Sequence, residues 1–190
     1  MSTLRFRAAG PDDAEGIARL HADSWRRHYR GAYSDAFLDG DVLGNRLSVW
    51  ASRLAETAAS ATILAEDENT PGLTGFVHVV FDEDPRWGSL VDNLHVANAR
   101  RRTGVGGALL TRAAEAAVSE ATTKPLYLWV LEQNTTAQNF YRAHSGTCPE
   151  EPVLVGAPGG DPTRLDGTPK KLRMAWADAA EVGLRPAAGR

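Results

Sequence analysis

Val91-Asp92-Asn93-Leu94-His95-Val96-Ala97-Asn98-Ala99-Arg100-Arg101-Arg102-Thr103-Gly104-Val105-Gly106-Gly107-Ala108-Leu109-Leu110 decides the fold. It reads as strand, glycine loop, helix. Val91 and Val96 are β-formers in an apolar run broken by Asp92, Asn93 and His95. Past Gly104 the period changes. Val105, Ala108, Leu109, Arg112, Ala113, Ala116 and Ala117 share one helical face, and that face is mostly apolar. Between strand and helix lie three arginines and three glycines. A glycine lets the chain turn tightly and a ligand come close. The first N–H groups of a helix have no internal partner, and an anion satisfies them.

The loop matches neither common nucleotide signature. A dinucleotide fingerprint needs a glycine where Leu109 stands, and no Gly-Lys-Ser/Thr follows for a P-loop. Without either, a solvated strand-to-helix turn is an equally good reading of the loop.

The spacing adds more. Arg101-Arg102-Thr103-Gly104-Val105-Gly106 fits Gln/Arg-x-x-Gly-x-Gly/Ala after a strand ending Leu94-His95-Val96. This resembles the acetyl-coenzyme A loop of the GNAT superfamily of N-acetyltransferases. A second block agrees: Leu126-Tyr127-Leu128-Trp129-Val130, then Asn134, then Ala137-Gln138-Asn139-Phe140-Tyr141. It is similar to the family's next strand and helix. The two motifs span about residues 90–145.

Composition sets outer bounds. The chain has 190 residues, 43% hydrophobic and 24% charged, as in an ordinary globular domain. A net charge of -3 gives no global pull toward nucleic acid or an anionic membrane. Cys148 is the only cysteine, so no intrachain disulfide forms. No apolar run approaches a membrane span, and Met1–Arg7 lacks a signal-peptide core. The expectation is a cytoplasmic protein with no nucleic-acid or membrane partner. A homodimer stays open.

Along the chain, Leu4–Ala8 is predicted as a strand and Pro11-Asp12-Asp13 as a helix start. Leu43, Leu47, Trp50 and Leu54 mark a helix over about 35–57. Residues 61–65 and 73–81 are predicted strands, with a turn at Asn69-Thr70-Pro71-Gly72. The helix after the glycine loop runs to about Ala121, and residues 126–131 form a buried strand. Asn134-Thr135-Thr136 opens a helix ended by Ser145-Gly146. Cys148–Val155 is predicted as a strand, 156–169 as a loop and 171–176 as the last strand. Residues 181–190 carry no pattern and read as a frayed tail behind one domain, 1–180.

The order β-α-α-β-β-β-α-β-α-β-β implies an α+β fold, helices on a mixed sheet. The resemblance implies a GNAT-like fold: a splayed mixed sheet of about seven strands with helices on both faces. It also implies the chemistry. Acetyl-CoA would be held by Leu94, Val96, Arg101, Arg102, Thr103, Gly104, Val105, Gly106, Gly107 and Asn134, with no metal. Tyr141 would protonate the departing thiolate. Asp92 is the first choice of base, on the same facing as Val96 if no bulge intervenes. His95, His28, His78, Glu132 or ordered water are the alternatives.

Trp25, Tyr29 and Tyr33 stand in an aromatic, basic stretch. They are either core packing or, by the resemblance, the wall of the acceptor pocket. The implied activity is acetyl transfer to a primary amine, on a small molecule or a peptide, through a ternary complex. The alternative is an acyl-CoA-binding regulatory module with little turnover.

Overall fold

The computed structural model describes residues 4–56, 58–68 and 70–183. The strands are β1 (Leu4–Ala8), β2 (Ser60–Asp67), β3 (Thr70–Asp84), β4 (Gly88–Val96), β5 (Leu126–Leu131), β6 (Val153–Leu154) and β7 (Lys170–Trp176). The helices are α1 (Ala14–His28), α2 (Asp35–Asp39), α3 (Val42–Ala55), α4 (Val105–Glu120) and α5 (Thr135–Ala143). The sheet runs β1-β2-β3-β4-β5-β7-β6. Every neighbouring pair is antiparallel except β4–β5, which the crossover helix α4 joins in parallel.

Strand alternation divides the core into two layers. Val77, Val79, Val91, Leu128, Val130 and Met174 face α4, meeting its Leu109, Leu110, Ala113 and Ala117. Phe76 and Leu64 face the other way, onto Ile17 and Ala18 of α1 and Trp50 and Leu54 of α3. Fully burying side chains such as Leu109 and Leu110 stabilises by roughly 1.5–3 kcal/mol each. A third cluster, Trp25, Tyr33, Phe37, Leu38, Val42 and Leu131, joins α1–α3 to the end of β5.

The seven strands and their mixed sheet follow the sequence reading, but five details differ. The helix expected over 35–57 is two, α2 and α3. The chain turns at Gly40, where a Cβ would meet the Ala36 carbonyl oxygen at 2.6 Å. The buried stripe of α3 is Val42, Arg46, Trp50 and Leu54, while Leu47 is 40% exposed. The turn between β2 and β3 falls two residues earlier than expected: Asp67 already pairs with Thr70. Asn69, the first residue of the expected turn, lies outside the described residues.

The strand expected over Cys148–Val155 shrinks to Val153–Leu154. Pro149 and Pro152 cannot donate to a ladder, so pairing stops there. Thr147 keeps a single bridge to Ala175. At the end of the chain, Glu181 closes a short 3-10 turn and Val182 is buried against the α4 layer. Those residues are therefore packed rather than frayed; residues 184–190 of the expected tail lie outside the described residues. The loop 156–169 is pinned to the segment after α1, with Ser34 N–H donating to the Arg164 carbonyl and Asp166 N–H to that of Ala32.

Candidate active site

The site begins where β4 and β5 part. They pair only at Ser89–Leu126 and Leu90–Tyr127, although β4 continues to Val96 and β5 to Leu131. Beyond that point the strands splay and leave a cleft of about 320 Å³. Leu94, His95 and Val96 line one side, Trp129, Val130 and Leu131 the other. Over this length the facing backbone edges do not pair with each other. Apart from the Leu131 carbonyl, which accepts from Asn134 N–H and Gln138 Nε2, their N–H and C=O groups are available to an extended ligand.

A β-bulge shapes the β4 side. Val79 of β3 pairs with Val91 and His78 with Asn93, so Asp92 is the extra residue. Val91, Leu94 and Val96 therefore all face the α4 layer. Asp92 and Asn93 both reach Arg53 of α3: Arg53 pairs with Asp92 at 2.6 Å and donates to Asn93 Oδ1 at 2.6 Å. Strand alternation alone would give Asp92 the facing of Val96. The bulge reverses it and puts Asp92 on the α1–α3 face, alongside His95.

At the mouth of the cleft the glycine loop enters α4. Its three glycines have three different reasons. Gly104 caps the helix at φ +88, and a Cβ there would meet no atom within 4 Å. Its need is conformational, and the space beside it is open to a ligand. A Cβ on Gly106 would lie 3.5 Å from Phe140 and 3.7 Å from Val96, an ordinary contact across the cleft. A Cβ on Gly107 would come within 2.9 Å of His144 Nε2, so this glycine lets α4 and α5 approach. His144 is held there by its Nδ1–H, which donates to the Phe140 carbonyl.

The neighbouring side chains divide by role. Arg101, Arg102, Gly104, Gly106 and Gly107 line the cleft. Arg101 and Arg102 are exposed and form no salt bridge with the described residues. Arg100 also lines the cleft but pairs with Asp67, whose carboxylate is 1% exposed. Thr103 and Val105 do not line it. The Thr103 hydroxyl donates to the Arg100 carbonyl, bracing the loop, and Val105 is buried in the core. The N–H of Val105 still belongs to the open first turn of α4.

The far wall comes from α5. Asn134 caps it by accepting a hydrogen bond from Ala137 N–H, and it lines the cleft. Two turns on, Tyr141 lines the same cleft with 9% exposure. Its ring meets Phe140 and Trp176 edge-on. Its hydroxyl makes no hydrogen bond with the described residues. Burial first, and the nearby Tyr29 second, push its pKa well above the usual phenol value, so it remains a proton donor at neutral pH.

The three aromatic residues singled out by sequence separate. Tyr29 lines the cleft. Trp25 and Tyr33 are buried in the third core cluster, and Trp25 stacks beneath Tyr29 at 5.3 Å between ring centroids. Only one of the three reaches the cleft directly; the other two hold it in place.

The histidines also sort themselves. His95 lines the cleft, its Nδ1 paired with Ser24 Oγ at 2.8 Å. Burial, and then His28, hold its pKa down to about 3, so it is neutral at ordinary pH and a weak base. His28 lines the cleft too, its pKa lowered by burial and then by Arg101. His78 is bonded to Thr62, buried and away from the cleft. Glu132 is exposed and does not line it. Ser24, Thr136 and the arms of β5 were not legible as site residues. Ser24 carried no motif, and which β5 side chains border the gap depends on how the strands splay.

Among the described residues, no group of three or more His, Cys, Asp or Glu side chains could hold a metal ion. No helix among them is long and apolar enough to cross a membrane. What the site offers is a cationic mouth at the start of α4, a cleft of mixed polar and apolar lining between the splayed strands, and a buried phenol on its α5 wall.

Comparison with known proteins supports this fold. A model of the Acetyltransferase (GNAT) family matches residues 14–146. A probable N-acetyltransferase of Mycobacterium tuberculosis is 30% identical over 145 residues, 74% of this chain and 78% of the relative. In structure, the chain superposes on the PaiA N-acetyltransferase of Thermoplasma acidophilum, solved with coenzyme A. The TM-score is 0.70 at 15% identity, over 92% of this chain and 99% of that one. It also superposes on YncA of Salmonella typhimurium, solved with acetyl-CoA, at a TM-score of 0.64 and 18% identity over 100% and 99% of the two chains. The match runs from the first residue of α1 past the end of α5, across the splayed strands and the glycine loop, and this chain belongs to the acetyltransferase (GNAT) family.

Proposed function

We propose that the protein is an N-acetyltransferase that moves the acetyl group of acetyl-CoA directly to a primary amine in a ternary complex. The observation that carries this reading is the cleft between β4 and β5. Gly104, Gly106 and Gly107 at the start of α4 and Tyr141 of α5 all line it. The residues present fit the co-substrate. Gly104 leaves open space beside the first N–H groups of α4, and Arg101 and Arg102 have charge to spare for a diphosphate. The unpaired edge of β4 at Leu94–Val96 suits an arm with amide groups. Asn134 borders the same channel.

Acetyl-CoA supplies an activated acyl thioester, so no covalent enzyme intermediate is required. Cys148 is exposed and outside the cleft, and needs no catalytic role. The chain must then do three things. The unpaired N–H groups of the β4 edge stabilise the oxyanion that forms during attack. Tyr141 gives its proton to the departing sulfur. Asp92, turned by the bulge toward the α1–α3 face, draws the amine and receives its proton. Tyr29, between cleft and aromatic cluster, helps to wall the acceptor.

Calorimetry with coenzyme A and a free-thiol assay with acetyl-CoA and mixed primary amines test the reading together. Wild-type protein should bind CoA and release thiol only when an amine is present. Gly104→Val should lose CoA affinity, because its side chain enters the open space at the mouth. Tight CoA binding with no amine-dependent thiol release would identify a binding module instead.

A further inference from the structure

The α1–α3 face of the sheet holds more positive charge than the fold itself neutralises. Arg46 lies in the buried stripe of α3, with only 8% of the residue exposed. Its guanidinium donates to Asn45 Oδ1, one residue away, from Nε at 3.1 Å and from one Nη at 2.5 Å. Its central carbon lies 4.1 Å above the Trp25 ring. It makes no salt bridge with any described residue. Asp92, the acid near it, is already taken by Arg53 at 2.6 Å. A buried guanidinium without a counter-ion is costly, and the face of one indole offsets only part of that cost.

Arg46 does not line the cleft itself but lies over the Trp25 ring, which stacks on Tyr29, a lining residue. Asp92 and Arg53 are near enough for their charges to bear on it. Across the gap, Lys171 of β7 sits 4.3 Å over the ring of Trp129, which lines the cleft. Lys171 likewise has no acid partner among the described residues. Asp92 pairs with Arg53 and is near enough to bear on both Arg46 and Lys171, whereas Arg173, on the same face of β7 as Lys171, is matched by Asp84 and Glu150.

Four acids of the two acid-rich loops are committed elsewhere. Asp35 and Asp39 both pair with Arg30. Asp82 accepts from Thr122 and Thr123, and Asp84 from the N–H groups of Arg86 and Trp87.

We infer that the acceptor is a primary amine that also bears a carboxylate, an amino-acid-like zwitterion, with Arg46 as the group that binds the carboxylate. The inference rests on the N-acetyl transfer reading above and adds the acceptor's chemical class. Lys171 adds to the positive field from the opposite wall. Asp92 spends Oδ2 on Arg53 and keeps Oδ1 for the ammonium end.

The test pairs common L-amino acids with their carboxamides, each assayed for thiol release with acetyl-CoA. The acids should exceed the amides in kcat/KM by roughly 10- to 100-fold, the size of one charge-assisted interaction. Arg46→Ala should collapse that ratio toward one, mainly by raising KM for the acids. Arg46→Lys should restore part of it. CoA affinity by calorimetry serves as the control for folding. If Arg46→Ala does not fold, the wild-type ratio and Arg46→Lys still decide. Amides or simple diamines accepted as well as the acids would overturn the inference while leaving N-acetyl transfer standing. A ratio unchanged in both Arg46 variants would also overturn it. Thiol release with neither set, despite CoA binding, would overturn the inference, and the mixed-amine assay would then decide whether N-acetyl transfer stands.

Discussion

Tyr141→Phe removes one hydroxyl from the inner end of the cleft and little else. The phenol makes no hydrogen bond with the described residues, and its ring is held edge-on by Phe140 at 5.1 Å and Trp176 at 6.5 Å. Stability should therefore change by no more than about 0.5 kcal/mol. CoA affinity should hold, since the substitution leaves the mouth of the cleft untouched. Catalysis should not. A positioned proton donor contributes about 10²–10⁴-fold, so kcat should fall at least about 100-fold, or about 2.7 kcal/mol of transition-state stabilisation. Because burial raises the phenol's pKa, Tyr141 contributes no alkaline limb to the wild-type pH–rate profile within the ordinary assay range. The assay is thiol release under saturating acetyl-CoA, repeated with a thioester of a more acidic thiol. That leaving group needs less help, so the deficit should shrink. A variant with wild-type kcat, with chemistry shown to be rate-limiting, would make Tyr141 a packing residue and refute the proton-donor role.

Two further outcomes test the frame around the site. Gly88→Ala should destabilise by at least about 3 kcal/mol in urea unfolding. Gly88 has φ +73, and its Cβ would lie 2.1 Å from the Pro125 carbonyl oxygen, which accepts the Ser89 N–H where β4 and β5 still pair. Asp82→Asn should lower thermal stability at neutral pH but not in strong acid. Backbone and hydroxyl hydrogen bonds from Thr122 and Thr123 hold the Asp82 carboxylate down to about 2 from an ordinary 3.8. A depressed folded pKa adds stability above 3.8, and that stability is lost as the pH falls toward 2. The melting curves of the two proteins should converge across that window. Asn tolerates the left-handed backbone at residue 82 (φ 49), so the comparison isolates the charge.

The residues that hold the cleft together were unequally legible. The glycine loop, the Asn134 cap and the Tyr141 position are local patterns, and short-range spacing carries them. Asp92 was also marked, but its facing was not. Strand alternation predicts one side, and a single unpaired residue against β3 puts it on the other. Trp25, Tyr29 and Tyr33 look alike in sequence. Only packing against Phe37, Leu38 and Leu131 shows that Trp25 and Tyr33 are interior and that Tyr29 meets the cleft. Arg46 was invisible because its charge reads as solvent-exposed, although its spacing of four from Val42 and from Trp50 puts it on their buried face.

The sequence by itself determined the order of elements, the mixed sheet, the helix that starts at a glycine loop, and the resemblance to a family. These depend on hydrophobic period, turn residues and capping, which act over a few residues. Only the tertiary structure decided where β4 and β5 part, which face Asp92 takes, and that Arg46 is buried without a counter-ion. Each of those depends on residues distant in the chain. The strands diverge past Leu90 and Tyr127, the bulge is defined by its pairing with β3, and the charge on Arg46 is set by an aromatic floor from α1 and an acid already held by Arg53.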